Sequence, residues 1–202
     1  MGQGPGKKPA TYEDIEALPV GWVGELIEDE LVASPRPATR HLRVASRLGV
    51  ILGFSFELEQ GGPGGWWFLD EPELHFTGNV LVPDLAGWRR ERVPGPPDAP
   101  WLTVAPDWIC EVLSPSSWAV DRARKMPLYH REGVGHAWLI DPRRRTLEVY
   151  RAGKDNWERT HLYEGDGTVW VEPFDAVPLK MGALWLPALP EPKGDQPPSG
   201  HR

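Results

Sequence analysis

Two short apolar runs each carry one carboxylate where a strand would hold another aliphatic residue. They are Val80-Leu81-Val82-Pro83-Asp84-Leu85-Ala86 and Trp108-Ile109-Cys110-Glu111-Val112-Leu113. A half-buried carboxylate is costly unless a metal ion, a cation or a proton neutralises it. Period-2 alternation puts Ile109, Glu111 and Leu113 on one face of the second run, and Trp108, Cys110 and Val112 on the other. In the first run Asp84 shares its face with Val82 and Ala86. If the two runs are neighbouring strands, the acids meet at one end of a sheet and can chelate a hard cation. Mg²⁺ suits that donor set, since it takes carboxylates plus waters and leaves room for a phosphate oxygen; Mn²⁺ is able to substitute. Such an ion polarises a scissile phosphate and activates water. Lys125 follows on a segment that can return over the sheet as a helix. Its ammonium could there orient the nucleophile or stabilise developing negative charge. The chemistry is that of metal-dependent phosphodiester hydrolysis.

The elements that must position these residues follow from pattern. Thr11–Leu18 reads as a short helix with Thr11 as N-cap. Leu26-Ile27 and Leu31-Val32 flank a hairpin turn. Residues 37–58 read as a long amphipathic helix with Leu42, Ala45, Leu48 and Leu52 on its apolar side. Strands are expected at 66–69, 80–87 and 107–113. Ser114-Pro115-Ser116-Ser117 then breaks the chain before a helix over 119–132. Pro127 falls in that helix's first turn or kinks it, and Gly133 closes it. Ala137–Ile140 and Thr146–Tyr150 read as a hairpin across Asp141–Arg145, with further strands near 157–163, 168–171 and 183–186. This order predicts an α/β (α+β) sheet with helices on its faces.

Composition bounds the rest. The 202 residues suffice for one well-buried domain, expected over 11–186, and 40% apolar with 25% charged residues is ordinary for a soluble protein. Residues 1–10 and the Pro-rich 187–202 are expected to be disordered. The single cysteine, Cys110, excludes an internal disulfide framework and any multi-cysteine zinc site. It reads as a buried structural thiol. No leader or membrane-spanning run is visible, so a cytoplasmic location is expected. The net charge of −7 argues against non-specific wrapping in nucleic acid, yet leaves room for a local basic groove. Most of the eleven Trp read as packing residues.

The ordered set Pro83-Asp84, Glu111-Val112-Leu113-Ser114-Pro115-Ser116, Asp121, Lys125, Tyr129, Gly133-Val134 and Trp138-Leu139-Ile140-Asp141 resembles the Uma-two family. Glu25–Val32, Ser34-Pro35 and His41 are similar to that family's opening segment. These are small, mainly bacterial proteins assigned to the PD-(D/E)xK restriction-endonuclease-like superfamily. The resemblance covers about residues 12–151, and more loosely to 186. It implies a restriction-endonuclease-like mixed β-sheet flanked by helices, Asp84 and Glu111 as metal ligands with the Val112 carbonyl as a further one, and Lys125 as the catalytic lysine. Glu25, His41 and Asp121 are accessory candidates. In the superfamily pattern the lysine usually sits two residues after the strand acid, where this chain has Leu113, so the ammonium is expected from the helix. Where the family commonly has Asp-Gly in its opening hairpin, this chain has Glu28-Asp29.

The expected function is thus an Mg²⁺-dependent endonuclease acting on DNA. The alternative is a weak or inactive nuclease-fold module that binds nucleic acid or protein, and exposed edge strands with superfamily analogy suggest a homodimer. Other readings stand beside each role: Asp84 as a strand-end carboxylate accepting backbone hydrogen bonds, Lys125 as solvated surface, Asp121 as a cap or a partner of Lys125, and His41 as a satisfied helix histidine. Arg36, Arg40, Arg43 and Arg47 form a basic stripe that could track a nucleic-acid backbone or be the polar face of their helix. Arg143, Arg144 and Arg145 carry the same ambiguity.

Overall fold

The computed structural model describes residues 8–187. The disorder expected of 1–10 and 187–202 therefore lies, except at 8–10 and 187, outside the described residues. The chain opens with α1 (Tyr12–Glu16), where the Thr11 N–H donates to the Asp14 carboxylate at 2.8 Å. Next come β1 (Trp22–Ile27) and β2 (Glu30–Pro35), an antiparallel hairpin, and then α2 (Thr39–Leu52), which widens into a π turn at Gly53–Glu57. Five strands follow: β3 (Trp66–Asp70), β4 (Leu74–Phe76), β5 (Asn79–Leu81), β6 (Leu85–Arg89) and β7 (Trp108–Val112). A helical crossover of α3 (Trp118–Val120), a π turn (Asp121–Lys125) and α4 (Met126–Arg131) leads to β8 (His136–Asp141), β9 (Thr146–Ala152) and β10 (Trp157–Glu164). The short β11 (Thr168–Val169) and β12 (Leu179–Lys180) pair with each other.

The principal sheet has the order β10-β9-β8-β7-β6-β3, and a four-stranded sheet the order β2-β1-β5-β4. Within the principal sheet β7 and β8 run parallel and the other neighbours antiparallel. A parallel pair needs a crossover, and the helical segment carrying Lys125 supplies it. Both faces of the sheet are covered, which is why β7 is buried along its whole length. Val44, Leu48 and Leu52 of α2 pack on the face of Trp108, Cys110 and Val112. Leu128 and Tyr129 of α4, with Ile27 and Leu81 of the smaller sheet, pack on the face of Ile109 and Leu113. The mixed α+β architecture with helices on the sheet faces is the one expected. Six of the Trp residues (66, 67, 88, 108, 138, 185) are core.

Several boundaries differ from expectation, each for a physical reason. Residues 80–87 are not one strand. β5 ends at Leu81 in the smaller sheet, β6 begins at Leu85 in the principal one, and Val82-Pro83-Asp84 is the bend between. Pro83 has no N–H to give a ladder, so the chain changes sheets there. On α2 the buried stripe is Val44, Leu48 and Leu52, while Leu42 is half exposed. Arg36 precedes the first turn of that helix and is not part of its stripe. The helix expected at 119–132 is three pieces, and Pro127 sits in the first turn of the last of them. Near 183–186 there is no strand; a 3₁₀ turn covers Met181–Ala183. β4, paired with β5 across a turn at Thr77-Gly78, is a strand beyond those expected.

The β1–β2 turn keeps a two-residue loop despite lacking glycine, with φ of 52° at Glu28 and 66° at Asp29. Both central residues are left-handed, as a type I′ hairpin requires, and both carry a Cβ. Replacing Asp29 by Gly should therefore raise stability by about 1 kcal/mol. The measurement is a urea midpoint that moves up with unchanged slope; an unmoved or lower midpoint contradicts it.

Candidate active site

Asp84 and Glu111 come together as neighbours at one end of the β6–β7 ladder. The last paired residues are Leu85 and Cys110, so the next step of the register sets Asp84 across from Glu111. Asp84 Oδ2 accepts the Val112 N–H at 2.6 Å, while its Oδ1 lies 2.6 Å from His41 Nε2. The backbone-accepting reading of Asp84 is therefore correct as geometry. It does not exhaust the residue, because one oxygen faces the imidazole and the side chain lines a cavity of about 280 Å³.

Lys125 is buried, and its ammonium is the hub of the cluster. Its Nζ lies 2.8 Å from Glu111 Oε1, 2.9 Å from Glu25 Oε1 and 3.9 Å from Asp121 Oδ1, and it donates to the Val82 carbonyl at 3.0 Å. A solvated surface lysine is excluded by these contacts. Four separate segments supply the partners: β1, the bend before β6, β7 and the π turn. The π turn sets Asp121 and Lys125 at its two ends, and such wide turns recur at functional sites. Leu113, two residues after Glu111, is buried against the α4 side of the sheet.

Two further groups fix the hub. The Tyr129 hydroxyl donates to Glu111 Oε1 at 2.7 Å, and Glu25 Oε1 also accepts the Val82 N–H at 2.8 Å. Val82 thus spans Glu25 and Lys125 with its N–H and its carbonyl. Neither Val82 nor Tyr129 was among the candidate site residues. Tyr129 lies four residues after Lys125 on the same helical segment, and that spacing was the available signal.

The electrostatics follow from burial. Burial pushes the Glu111 carboxyl well above the carboxylate range, and the Lys125 ammonium only partly offsets it. Burial would lower Lys125, but Glu111 and Glu25 outweigh it and hold the ammonium charged. Burial raises Asp121 to about 6, against the pull of Lys125 and a hydrogen bond from Ser117. Burial also raises the Tyr129 hydroxyl and the Cys110 thiol, so neither ionises near neutral pH. Cys110 lies on the opposite face of β7 from Glu111 and is a structural thiol, as expected. Burial lowers His41, but the Asp84 carboxylate more than compensates and raises it overall; its Nδ1 is buried without a partner among the described residues.

The remaining candidates sit at the margins. Arg36 lines the cavity beside Ser114, Pro115 and Ser116. Arg40 and Arg47 are exposed on α2, and Arg43 is half-buried.

Among the described residues no three acidic, histidine or cysteine side chains converge as a ready-made metal cage. The donor chemistry nonetheless suits a hard divalent ion. Five acids (Glu25, Glu71, Asp84, Glu111 and Asp121) line the cavity with the Lys125 ammonium, the His41 imidazole and the Arg36 guanidinium. Glu71 and Arg36 stand on its exposed rim, and acids are in excess. Mg²⁺ is commonly held by one or two carboxylates with waters and substrate phosphate completing its shell.

The mixed sheet flanked by helices recurs in a protein of known structure. The crystal structure of a "putative nuclease belonging to DUF820" from Anabaena variabilis ATCC 29413 superposes with a TM-score of 0.70 at 24% sequence identity, covering 87% of this chain and 97% of that one. The family model Uma2, described as "Putative restriction endonuclease", matches residues 9–181, and the chain belongs to that family. No curated protein matches the chain. Among the described residues no helix is long and apolar enough to cross a membrane.

The Asp121 shift has a measurable consequence in protein kept free of divalent ions. The unfolded chain releases this proton near pH 3.8 and the folded chain near 6, so between those values the native state binds more protons. The contribution of this group to stability then falls as pH rises from 4 to 6, by up to about 3 kcal/mol. Asp121→Asn should flatten that segment of the stability–pH curve measured by urea unfolding in EDTA. An unchanged slope would show that Asp121 is not the group responsible.

Proposed function

We propose that this chain is a divalent-metal-dependent endonuclease that hydrolyses phosphodiester bonds in DNA, a member of the PD-(D/E)xK group whose lysine has moved from the strand to the following helix. The observation that carries the reading is the buried Lys125 ammonium, 2.8 Å from Glu111 Oε1, in the cavity that Asp84 also lines. Asp84, Glu111 and the Val112 carbonyl would hold Mg²⁺, with Mn²⁺ able to replace it. When bound, the cation supplies Lewis-acid polarisation of the scissile phosphate. The three Lys125 donors are taken by Glu111, Glu25 and the Val82 carbonyl. Its ammonium would therefore act through charge, stabilising the negative charge that develops on the phosphoryl oxygens, and would hold the attacking water only by releasing one of these partners. His41 acts through Asp84, keeping that carboxylate oriented. Tyr129 and Glu25 act through Glu111 and Lys125 and are positioning residues. Arg36 at the cavity and Arg40 and Arg47 beyond it would contact backbone phosphates. The exposed edges β2 and β10 leave room for a two-copy assembly.

Leu113, where the superfamily has its lysine, favours a second reading in which the chain binds nucleic acid without turnover. One set of measurements separates the two. Calorimetric titration with Mg²⁺ should give binding that Asp84→Ala and Glu111→Ala abolish. Supercoiled plasmid should be nicked with Mg²⁺ and not with EDTA, and Lys125→Ala should lower the rate by about 10²-fold or more. Mg²⁺ binding indifferent to both acids would overturn the metal site. Metal binding without nicking by the purified wild-type protein would leave the binding module.

A further inference from the structure

The crossover that delivers Lys125 begins with an indole the proposed chemistry does not use. Trp118 is 46% exposed, although it follows directly from the Ser114–Ser117 turn that rims the active-site cavity. The Arg122 guanidinium lies over its ring, 5.8 Å from the centroid, and is itself held by Glu148 and Tyr150 of β9. One side of the indole is thus backed by a fixed cation, and the rest opens onto a groove of about 400 Å³ floored by Leu113 and edged by Arg143 and Arg144. That volume is in the range of small-ligand sites.

This groove adjoins the active-site cavity, since Ser114 and Pro115 line both. Its charge is also organised. The Asp141 carboxylate accepts the N–H groups of Arg143 and Arg144 at 2.8 and 3.0 Å and lies 3.7 Å from the Arg144 guanidinium, so the one acid lining the groove is engaged. Arg143 forms no ion pair among the described residues. Arg145, the third arginine of the run, turns away to Asp166 at 3.2 Å. An exposed aromatic face, two arginines at the rim and a wall shared with a carboxylate–lysine site together match one chemistry: a base that stacks and a phosphate that pairs.

We propose that this groove is a subsite for an unpaired nucleotide of single-stranded DNA, its base stacked on Trp118 and its phosphate held by Arg143 and Arg144, one step along the strand from the phosphate at Asp84 and Glu111. The inference rests on the nuclease reading for what lies at the next phosphate, but not for binding itself. A strand crossing Ser114-Pro115 would have to leave the duplex to place a base on Trp118. The substrate class is therefore DNA with a single-stranded or frayed segment at the cleavage point.

The test uses the full chain in EDTA and reads fluorescence anisotropy of a labelled oligo-dT of about a dozen nucleotides against a blunt duplex of equal length. Trp118→Ala should weaken single-strand binding by about tenfold, with Trp118→Phe largely restoring it, while duplex binding changes little. Arg143→Ala/Arg144→Ala, at surface positions that carry no core, should flatten the salt dependence of single-strand binding by roughly 0.7 per lost phosphate contact. Wild-type affinity in both variants, or equal losses on duplex and single strand, would overturn the subsite. Failure of the two proposals is distinguishable. Trp118-dependent binding with no plasmid nicking keeps the subsite and removes the nuclease, and nicking that ignores Trp118 does the reverse.

Discussion

The structure depends on one buried ammonium. Taking a lysine out of water costs several kcal/mol, and the cost is offset only when carboxylates and hydrogen-bond acceptors surround it in good geometry. Lys125 meets that condition by collecting Glu25, Glu111, Asp121 and the Val82 carbonyl. Those partners come from both sheets and from the crossover, so the charge that must be satisfied also fixes how the smaller sheet and the helical segment sit on β7. The same desolvation that makes the pair expensive makes it rigid. Moving any one partner would leave a charge buried alone.

Rigidity at the lysine leaves a deficit at the acids. Five carboxylates line the cavity with Lys125, His41 and Arg36, and Glu111 and Asp121 answer by holding protons more tightly than a solvated carboxylate does. His41 shifts the same way, holding its proton more tightly beside Asp84. Each shift is the same constraint expressed at a different atom: a desolvated negative charge takes up whatever positive charge is available. A divalent cation and these protons would compete for the same oxygens. On the proposed reading, the affinity for a divalent cation would therefore be tied to pH by these same residues.

How much of this was legible in the sequence depends on whether the signal was local. Glu111 stood out because alternation alone puts it between Ile109 and Leu113 on a face that proved to be core. Asp84 stood out as an acid, but its setting was misread, since an apolar run interrupted by Pro83 looks the same whether it is one strand or two strands of different sheets. Lys125 was a candidate from its place on the following helix and gained its catalytic role through resemblance, because a lysine beside Arg122 and Arg124 carries no local mark of burial. Glu25 and Val82 are brought to it by packing across about 100 and 43 residues of chain, and no spacing rule reaches that far. On α2 the stripe was placed on Leu42 in place of Val44, and the arginines beside it were correspondingly shifted relative to the core.

The helical crossover joins local sequence to site. A proline inside a helix lacks an N–H and crowds the carbonyl four residues earlier. Pro127 avoids this by standing in the first turn of α4, directly after the chain has widened into a π turn over Asp121–Lys125. The wide turn loosens the helical register where the proline would otherwise break it, and Lys125 is its last residue. From there the side chain reaches Glu111 on the sheet, and Tyr129, four residues on, reaches the same oxygen. Leu113 can then remain an apolar core residue. A lysine on the strand at that position would compete for the same carboxylate and bring a second charge into the core, so the helix donor and the aliphatic strand residue are two halves of one solution.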